Sequence, residues 1–187
     1  MVRAAEKYGR APDGLNQDIV RTPSRVARTV LFVLVAAAVV VLDQLSKVAA
    51  RAELVPGEPV TLIPGVMDLS LTFNTGAAFS LGEGAGPVFV LIAAAICGIG
   101  LWVAWRRQDV PLSLLATVAC VAGGGIGNAI DRVAFGAVTD FFRTTFMNFA
   151  IFNVADVFVT CGVLVALVLW WRWDAQMERA RNAEPSA

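Results

Sequence analysis

Histidine is missing from all 187 residues. Its absence excludes Ser-His-Asp and Cys-His nucleophile arrangements, zincin motifs and any His-based metal site. Charge is scarce as well. Charged residues make up 16% of the chain and apolar ones 57%, whereas soluble domains are roughly a quarter charged and about 45–50% apolar. Formal net charge is zero, so neither a basic excess for nucleic acid nor an acidic tail for a charged partner is present. The three cysteines, Cys97, Cys120 and Cys161, are odd in number and each sits in an apolar run. That argues against a disulfide framework or zinc cluster and for small packing residues. No internal repeat or second domain is evident.

What is present is a set of long apolar segments. Residues Met1 to Arg28 are polar and punctuated by Pro12, Gly14 and Pro23, a composition expected to remain a flexible tail. Thr29 to Leu42 is apolar and continues helically through Asp43-Gln44-Leu45-Ser46-Lys47 to Ala50, close to the roughly 20 residues of a bilayer span. Ala50-Arg51-Ala52 imitates a signal-peptide cleavage site, but the charged stretch ahead of the apolar core is too long for that reading. Val88 to Trp105, Val110 to Ile130 and Val154 to Trp171 follow at near-bilayer length. The expected fold is an all-α membrane protein with four transmembrane helices. It divides into a tail (1–28), a membrane domain (29–173) and a C-terminal tail (174–187).

Basic residues near span ends set orientation. Arg21, Arg25 and Arg28 precede the first helix, Arg106-Arg107 fill the turn between the second and third, and Arg172, Arg179 and Arg181 follow the fourth. Both termini and that turn are thus expected on the cytoplasmic side, with Trp102, Trp105, Trp170, Trp171 and Trp173 as an aromatic belt. The loops Arg51 to Pro87 and Arg132 to Phe152 fall outside. In the first of them, Val60 to Ile63 and Met67 to Phe73 flank the turn Pro64-Gly65. Met67, Leu69, Leu71 and Phe73 alternate with Asp68, Ser70, Thr72 and Asn74, which predicts a small β-sheet cradle over about residues 54–80 on the outer face.

Ionisable groups in spanning helices are costly and are functional candidates by default. Here they converge on one end. Asp43 and Lys47, four apart on one helix face, can form an ion pair that pins the first helix to its neighbours. Gly123 and Gly127 offer a small-residue packing face beside the stripe Gly124, Asn128, Asp131. A phosphate-cradling loop is disfavoured for this glycine run because no strand precedes it. With no His, Cys or Ser constellation, a pair of carboxylates sharing a proton is the remaining hydrolytic device. Asp131, Asp140 and Asp156 are all candidates, and the residues alone do not choose among them.

Four motifs together resemble the lipoprotein signal peptidase family, also called signal peptidase II. They are Asp43-Gln44-Leu45-Ser46-Lys47, Asn74 through Ser80, Gly123 through Arg132 running on to Val138-Thr139-Asp140-Phe141, and Phe152-Asn153-Val154-Ala155-Asp156. The resemblance extends from Thr29 to Trp171. It implies an aspartyl endopeptidase of the bacterial cytoplasmic membrane with its active site at the outer face. Such an enzyme removes signal peptides from prolipoproteins by cutting before a lipid-modified cysteine. The family's catalytic dyad falls on Asp140 and Asp156. Asn74, Gly76, Asn128, Arg132 and Asn153 would bind substrate or orient the dyad, while Asp43, Lys47 and Asp131 would be structural. No metal or organic cofactor is implied. Implied partners are lipidated precursors, membrane lipid and the family's cyclic-peptide inhibitors; no nucleic acid is implied, and the chain would act as a monomer. The polar tail is longer than the family's usual one and receives no catalytic role. Residues 143–151, with Phe146 and Phe149, suit either a membrane-surface lid or plain interfacial anchoring.

Two other function classes compete. A proton-coupled transporter would relay protons through intramembrane acids, but its site belongs near the midplane, often between repeated halves. An assembly factor held by glycine-rich helix packing would need no acid pair at all.

Overall fold

A computed structural model describes residues 23–76 and 84–183. Four helices, α1 (Arg25–Glu53), α2 (Gly86–Arg106), α3 (Leu112–Phe135) and α4 (Val154–Ala183), are joined at one end by three strands, β1 (Val60–Ile63), β2 (Met67–Asn74) and β3 (Val138–Thr144). All four helices are long and apolar enough to cross a membrane. Large apolar side chains such as Leu34, Leu91, Ile99 and Trp171 point outward, as they do when the solvent around a bundle is lipid.

Every helix runs beyond the span its apolar residues announce at one end or both, although α3 starts at Leu112, after Pro111 at its N-cap, rather than at Val110. α1 starts at Arg25 because the Ser24 hydroxyl caps it, accepting the Ala27 N–H at 3.2 Å, one of the donors left open at a helix start. Residues 25–28 are therefore helix rather than tail, and Arg28 is buried at 2% exposure. Its guanidinium donates to the carbonyls of Val110 at 2.7 Å and Arg107 at 3.0 Å, tying the start of α1 to the α2–α3 turn. The first 22 residues lie outside those described. α3 continues past Ile130 until Gly136 ends it with φ 75°, a left-handed conformation that glycine adopts at no steric cost. α4 continues through residues 174–183, so the described part of the C-terminal tail is helical.

The core lies around α3, which packs against each of the other three helices. Three consecutive glycines make this possible, because successive helix positions point about 100° apart. A Cβ on Gly123 would sit 2.6 Å from the Ala36 carbonyl of α1, and one on Gly124 would sit 2.6 Å from the Ala155 carbonyl of α4. One on Gly125 would meet Ala93 of α2 at 3.3 Å. Each glycine thus admits a different neighbour. Phe32, Ala36, Ala104, Leu115, Ala119 and Ala122 form the main buried cluster. Cys97 and Cys120 are partly buried, but Cys161 is exposed on α4, so it is not a packing residue of the bundle.

The sheet has the antiparallel order β1-β2-β3, so the cradle includes a third strand from the second loop that alternation in the first loop could not reveal. The β2–β3 register shifts between Leu69 and Thr72. This irregularity breaks the strict alternation expected of β2: Asp68 and Leu71 are buried while Phe73 is 52% exposed. Leu71 and Phe141 close a second small core against Ala50 at the end of α1. Residues 77–80 of the expected cradle lie outside those described.

The glycine geometry generates a ranking. Gly124→Ala should destabilise the protein by about 1–3 kcal/mol, the usual cost of overpacking, because the obstructing atom is backbone. Gly125→Ala should cost clearly less. Thermal unfolding of the two purified variants in detergent checks this, and equal shifts would contradict it.

Candidate active site

The site grows from the junction of β3 with the start of α4. Thr72 pairs with Asp140 across the β2–β3 ladder, so Asn74, two residues further along β2, shares a face with Asp140. Its amide Nδ2 donates to Asp140 Oδ2 at 3.2 Å, while its Oδ1 accepts the Gly76 N–H at 2.9 Å. This is an Asx-type turn that fixes which way the amide points.

Asn153 is the residue before α4 and Asp156 is three positions on. The Asn153 Oδ1 accepts the Asp156 N–H at 3.0 Å, and the Asp156 Oδ2 accepts the Asn153 N–H at 3.0 Å. That reciprocal pair is a capping box in its Asn-x-x-Asp form. The Asn153 Nδ2 remains free to donate to Asp140 Oδ1, at 2.6 Å, and to Asn128 Oδ1, at 3.1 Å. Asn153 therefore bonds to both carboxylates at once. Asn128, from α3, completes the ring by donating to Asp156 Oδ1 at 2.8 Å.

Beneath this ring lies a second polar layer. Asp43, Lys47 and Asp131 have fully buried side chains. The Lys47 ammonium lies 2.8 Å from Asp43, 3.5 Å from Asp131 and 2.7 Å from Asn128 Oδ1. Asp43 also accepts the Ala155 N–H at 2.9 Å, so α1 supplies an acceptor to the positive end of α4. A Cβ on Gly127 would overlap Asp43, which is why the helix that carries Asn128 and Asp131 has a glycine there. Asp131 receives the Thr139 N–H at 2.9 Å and so anchors β3 one residue before Asp140.

Both carboxylates line one cavity of about 490 Å³. Asn74, Asn128 and Arg132 contribute its polar lining, Ile92, Ala93, Ile96 and Val121 its apolar lining, and residues 149–152 one wall. Arg132 donates to the Gly76 carbonyl at 2.8 Å and stacks 4.8 Å over the Phe89 ring. Burial, and next the neighbouring Asp156 carboxylate, push Asp140 up to about 6, against the pull of the Asn74 and Asn153 amides and the Lys47 ammonium. Among the described residues no group of three acids or cysteines is gathered as metal ligands would be.

The structure brings together all ten residues singled out from the sequence. Three more side chains, outside those ten, join them. Gln44 donates to Asp131 at 3.2 Å and to the Gly127 carbonyl at 3.0 Å. Arg51 donates to Thr139 Oγ1 at 2.8 Å, and Phe89 carries Arg132. Asn153-x-x-Asp156 was legible in principle as a helix-start signal; the other contacts depend on tertiary placement.

The chain that carries this constellation matches a known family. The model of the family described as Signal peptidase (SPase) II matches residues 35–172. The chain belongs to the signal peptidase II family. Relatives named "Lipoprotein signal peptidase" include one from Parasynechococcus marenigrum (strain WH8102), 41% identical over 138 residues that cover 73% of this chain and 86% of the relative. Another, from Streptococcus pyogenes serotype M1, is 36% identical over 142 residues, 76% of this chain and 93% of the relative. A solved bacterial membrane enzyme superimposes with a TM-score of 0.69 at 26% identity, covering 83% of this chain and 93% of its own. A second does so at 0.66 and 29%, covering 73% and 90%. Signal peptidase II membership and the four apolar helices make this a multi-pass membrane peptidase of a bacterial family.

The raised Asp140 pKa has a consequence for stability in this signal peptidase. The folded chain holds the Asp140 proton more tightly than the unfolded chain, whose aspartates titrate near 3.9 on average. The folded state therefore gains from that proton at low pH and loses the gain as pH rises toward about 6. Asp140→Asn removes the titration, so the melting temperature of the variant minus that of the parent should increase between about pH 4 and about pH 7. A difference that stays flat or falls over that range would contradict the assigned shift.

Proposed function

We propose that this chain is a membrane aspartyl endopeptidase that removes signal peptides from prolipoproteins, cutting on the N-terminal side of the diacylglyceryl-modified cysteine, with Asp140 and Asp156 as its catalytic dyad. The observation that carries this reading is the double bond of Asn153: its side chain donates to one carboxylate and its backbone to the other, on the wall of a single cavity. Two acids so close cannot both ionise easily, so the pair retains a proton.

In the reaction, the ionised member takes a proton from water as its oxygen attacks the scissile carbonyl carbon. The protonated member donates to the carbonyl oxygen. The tetrahedral intermediate then collapses as the first member passes the proton taken from water to the leaving amide nitrogen and the second takes its own proton back from the former carbonyl oxygen, leaving an amine, a carboxylic acid and the dyad as it began. Arg132 supports this role as a cation on the cavity wall, held in place by the Gly76 carbonyl and the Phe89 ring. Ile92, Ala93, Ile96 and Val121 give the apolar residues of a signal peptide a matching wall.

The basic residues at the far ends of α1, α2 and α4 favour cytoplasmic termini, with the dyad at the outer membrane surface. On this reading the lipid-modified substrate enters from the membrane. Cyclic peptides that imitate the bound precursor compete for the same cavity, and one chain suffices for activity. The transporter alternative finds no support: the buried acids cluster at one end of the bundle and belong to no repeat.

Asp140→Asn and Asp156→Asn should each leave the protein folded in detergent and reduce cleavage of a lipidated precursor peptide by about 100-fold or more. Mass spectrometry of the products reads this directly, and cleavage near the parental rate by either variant would overturn the dyad.

A further inference from the structure

Lys47 has no exposed side-chain surface and does not reach the cavity. An ion-pair role accounts for its contacts with Asp43 and Asp131, but an ammonium has three donors. Its shortest contact, at 2.7 Å, is with Asn128 Oδ1. Asn128 has two faces, an oxygen that accepts and an NH2 that donates, and an amide can be turned by half a rotation. Lys47 can only donate, so it holds the oxygen on its own side and leaves the Asn128 Nδ2 to donate to Asp156 Oδ1 at 2.8 Å. The second donor to Asn128 Oδ1, Asn153 Nδ2, lies further away at 3.1 Å and is shared with Asp140.

We propose that Lys47 is a positioning residue for hydrolysis: through Asn128 it fixes the donor that orients the Asp156 carboxylate. This rests on the dyad reading above. The link runs from Lys47 on α1 to Asn128 on α3 to Asp156 on α4, so three helices meet in one chain of hydrogen bonds. Its charge also polarises the Asn128 amide, strengthening the bond that the amide makes on its far side. A purely architectural ion pair would make no demand on which way Asn128 points.

The experiment uses the full chain in detergent with a lipidated precursor peptide. The Asp43→Asn background removes the carboxylate nearest Lys47, so that loss of the ammonium leaves fewer unpaired buried charges. In that background Lys47→Met should lower kcat by about tenfold or more, the effect of one charge-assisted hydrogen bond, and should leave KM within about twofold because Lys47 does not touch substrate. Lys47→Gln keeps a neutral donor within reach of Asn128 and should recover part of kcat. Adding Asn128→Ala should abolish the difference between Lys47 and either replacement, since the intermediary is gone.

Rates are taken per folded protein, and if the methionine variant does not fold, the Gln variant with and without Asn128→Ala carries the same test. An undiminished kcat for Lys47→Met, or a loss of equal size with and without Asn128, would overturn the proposal. Cleavage retained by Asp156→Asn is a separate failure, of the dyad itself, and would overturn both.

Discussion

Three charges with no access to solvent set the terms for everything around them. An isolated carboxylate or ammonium in a helix bundle loses its hydration, and removing one partner from a buried pair typically costs about 3–5 kcal/mol. The carboxylates of Asp43 and Asp131 are tolerated because they meet the Lys47 ammonium and further N–H donors, and the ammonium because it meets both carboxylates and the Asn128 oxygen. Meeting that requirement fixes the architecture. Gly127 gives Asp43 room, the α4 start supplies the Ala155 N–H, and β3 supplies the Thr139 N–H. The polar layer therefore locks α1, α3, α4 and the sheet into one arrangement, and Asp140 and Asp156 inherit their positions from it.

Apolar composition and the placement of charge made the four helices and the polar end legible in the sequence. Helix ends were less so. The Ser24 cap and the Gly136 stop are single-residue signals at the margins of apolar runs, and α4 extends through a polar stretch where hydropathy no longer speaks. The strand Val138–Thr144 was hidden because its burial pattern is continuous at Val138 to Phe141. It reads as neither an alternating strand nor a helix face. For the site, carboxylates and asparagines at the helix ends were visible as candidates, but the choice of Asp140 and Asp156 over Asp131 needed the family's motifs. The structure gives Asp131 physical employment elsewhere, between Lys47, Gln44 and the Thr139 amide.

Stability and chemistry use the same atoms in this protein. The capping box that starts α4 is an ordinary device for satisfying open N–H groups, yet one of its members is the Asp156 carboxylate proposed for the dyad and the other bridges to Asp140. Conversely, Asp140 is held in surroundings that disfavour its charge, a local cost that better-packed neutral side chains would avoid. Such conflicts between local comfort and arrangement are expected where a fold carries out a reaction.

The bridging role of Asn153 also bears on the nascent chain. Asn153 and Asp156 lie at the threshold of α4, which leaves the ribosome after α1, α2 and α3. Until that segment docks, Asp140 has neither the Asp156 carboxylate beside it nor the Asn153 amide, and the α1 carboxylate lacks the backbone donor it will cap. If the proposed dyad performs the hydrolysis, a translation product that stops before α4 lacks one of its two carboxylates and is inert toward its neighbours.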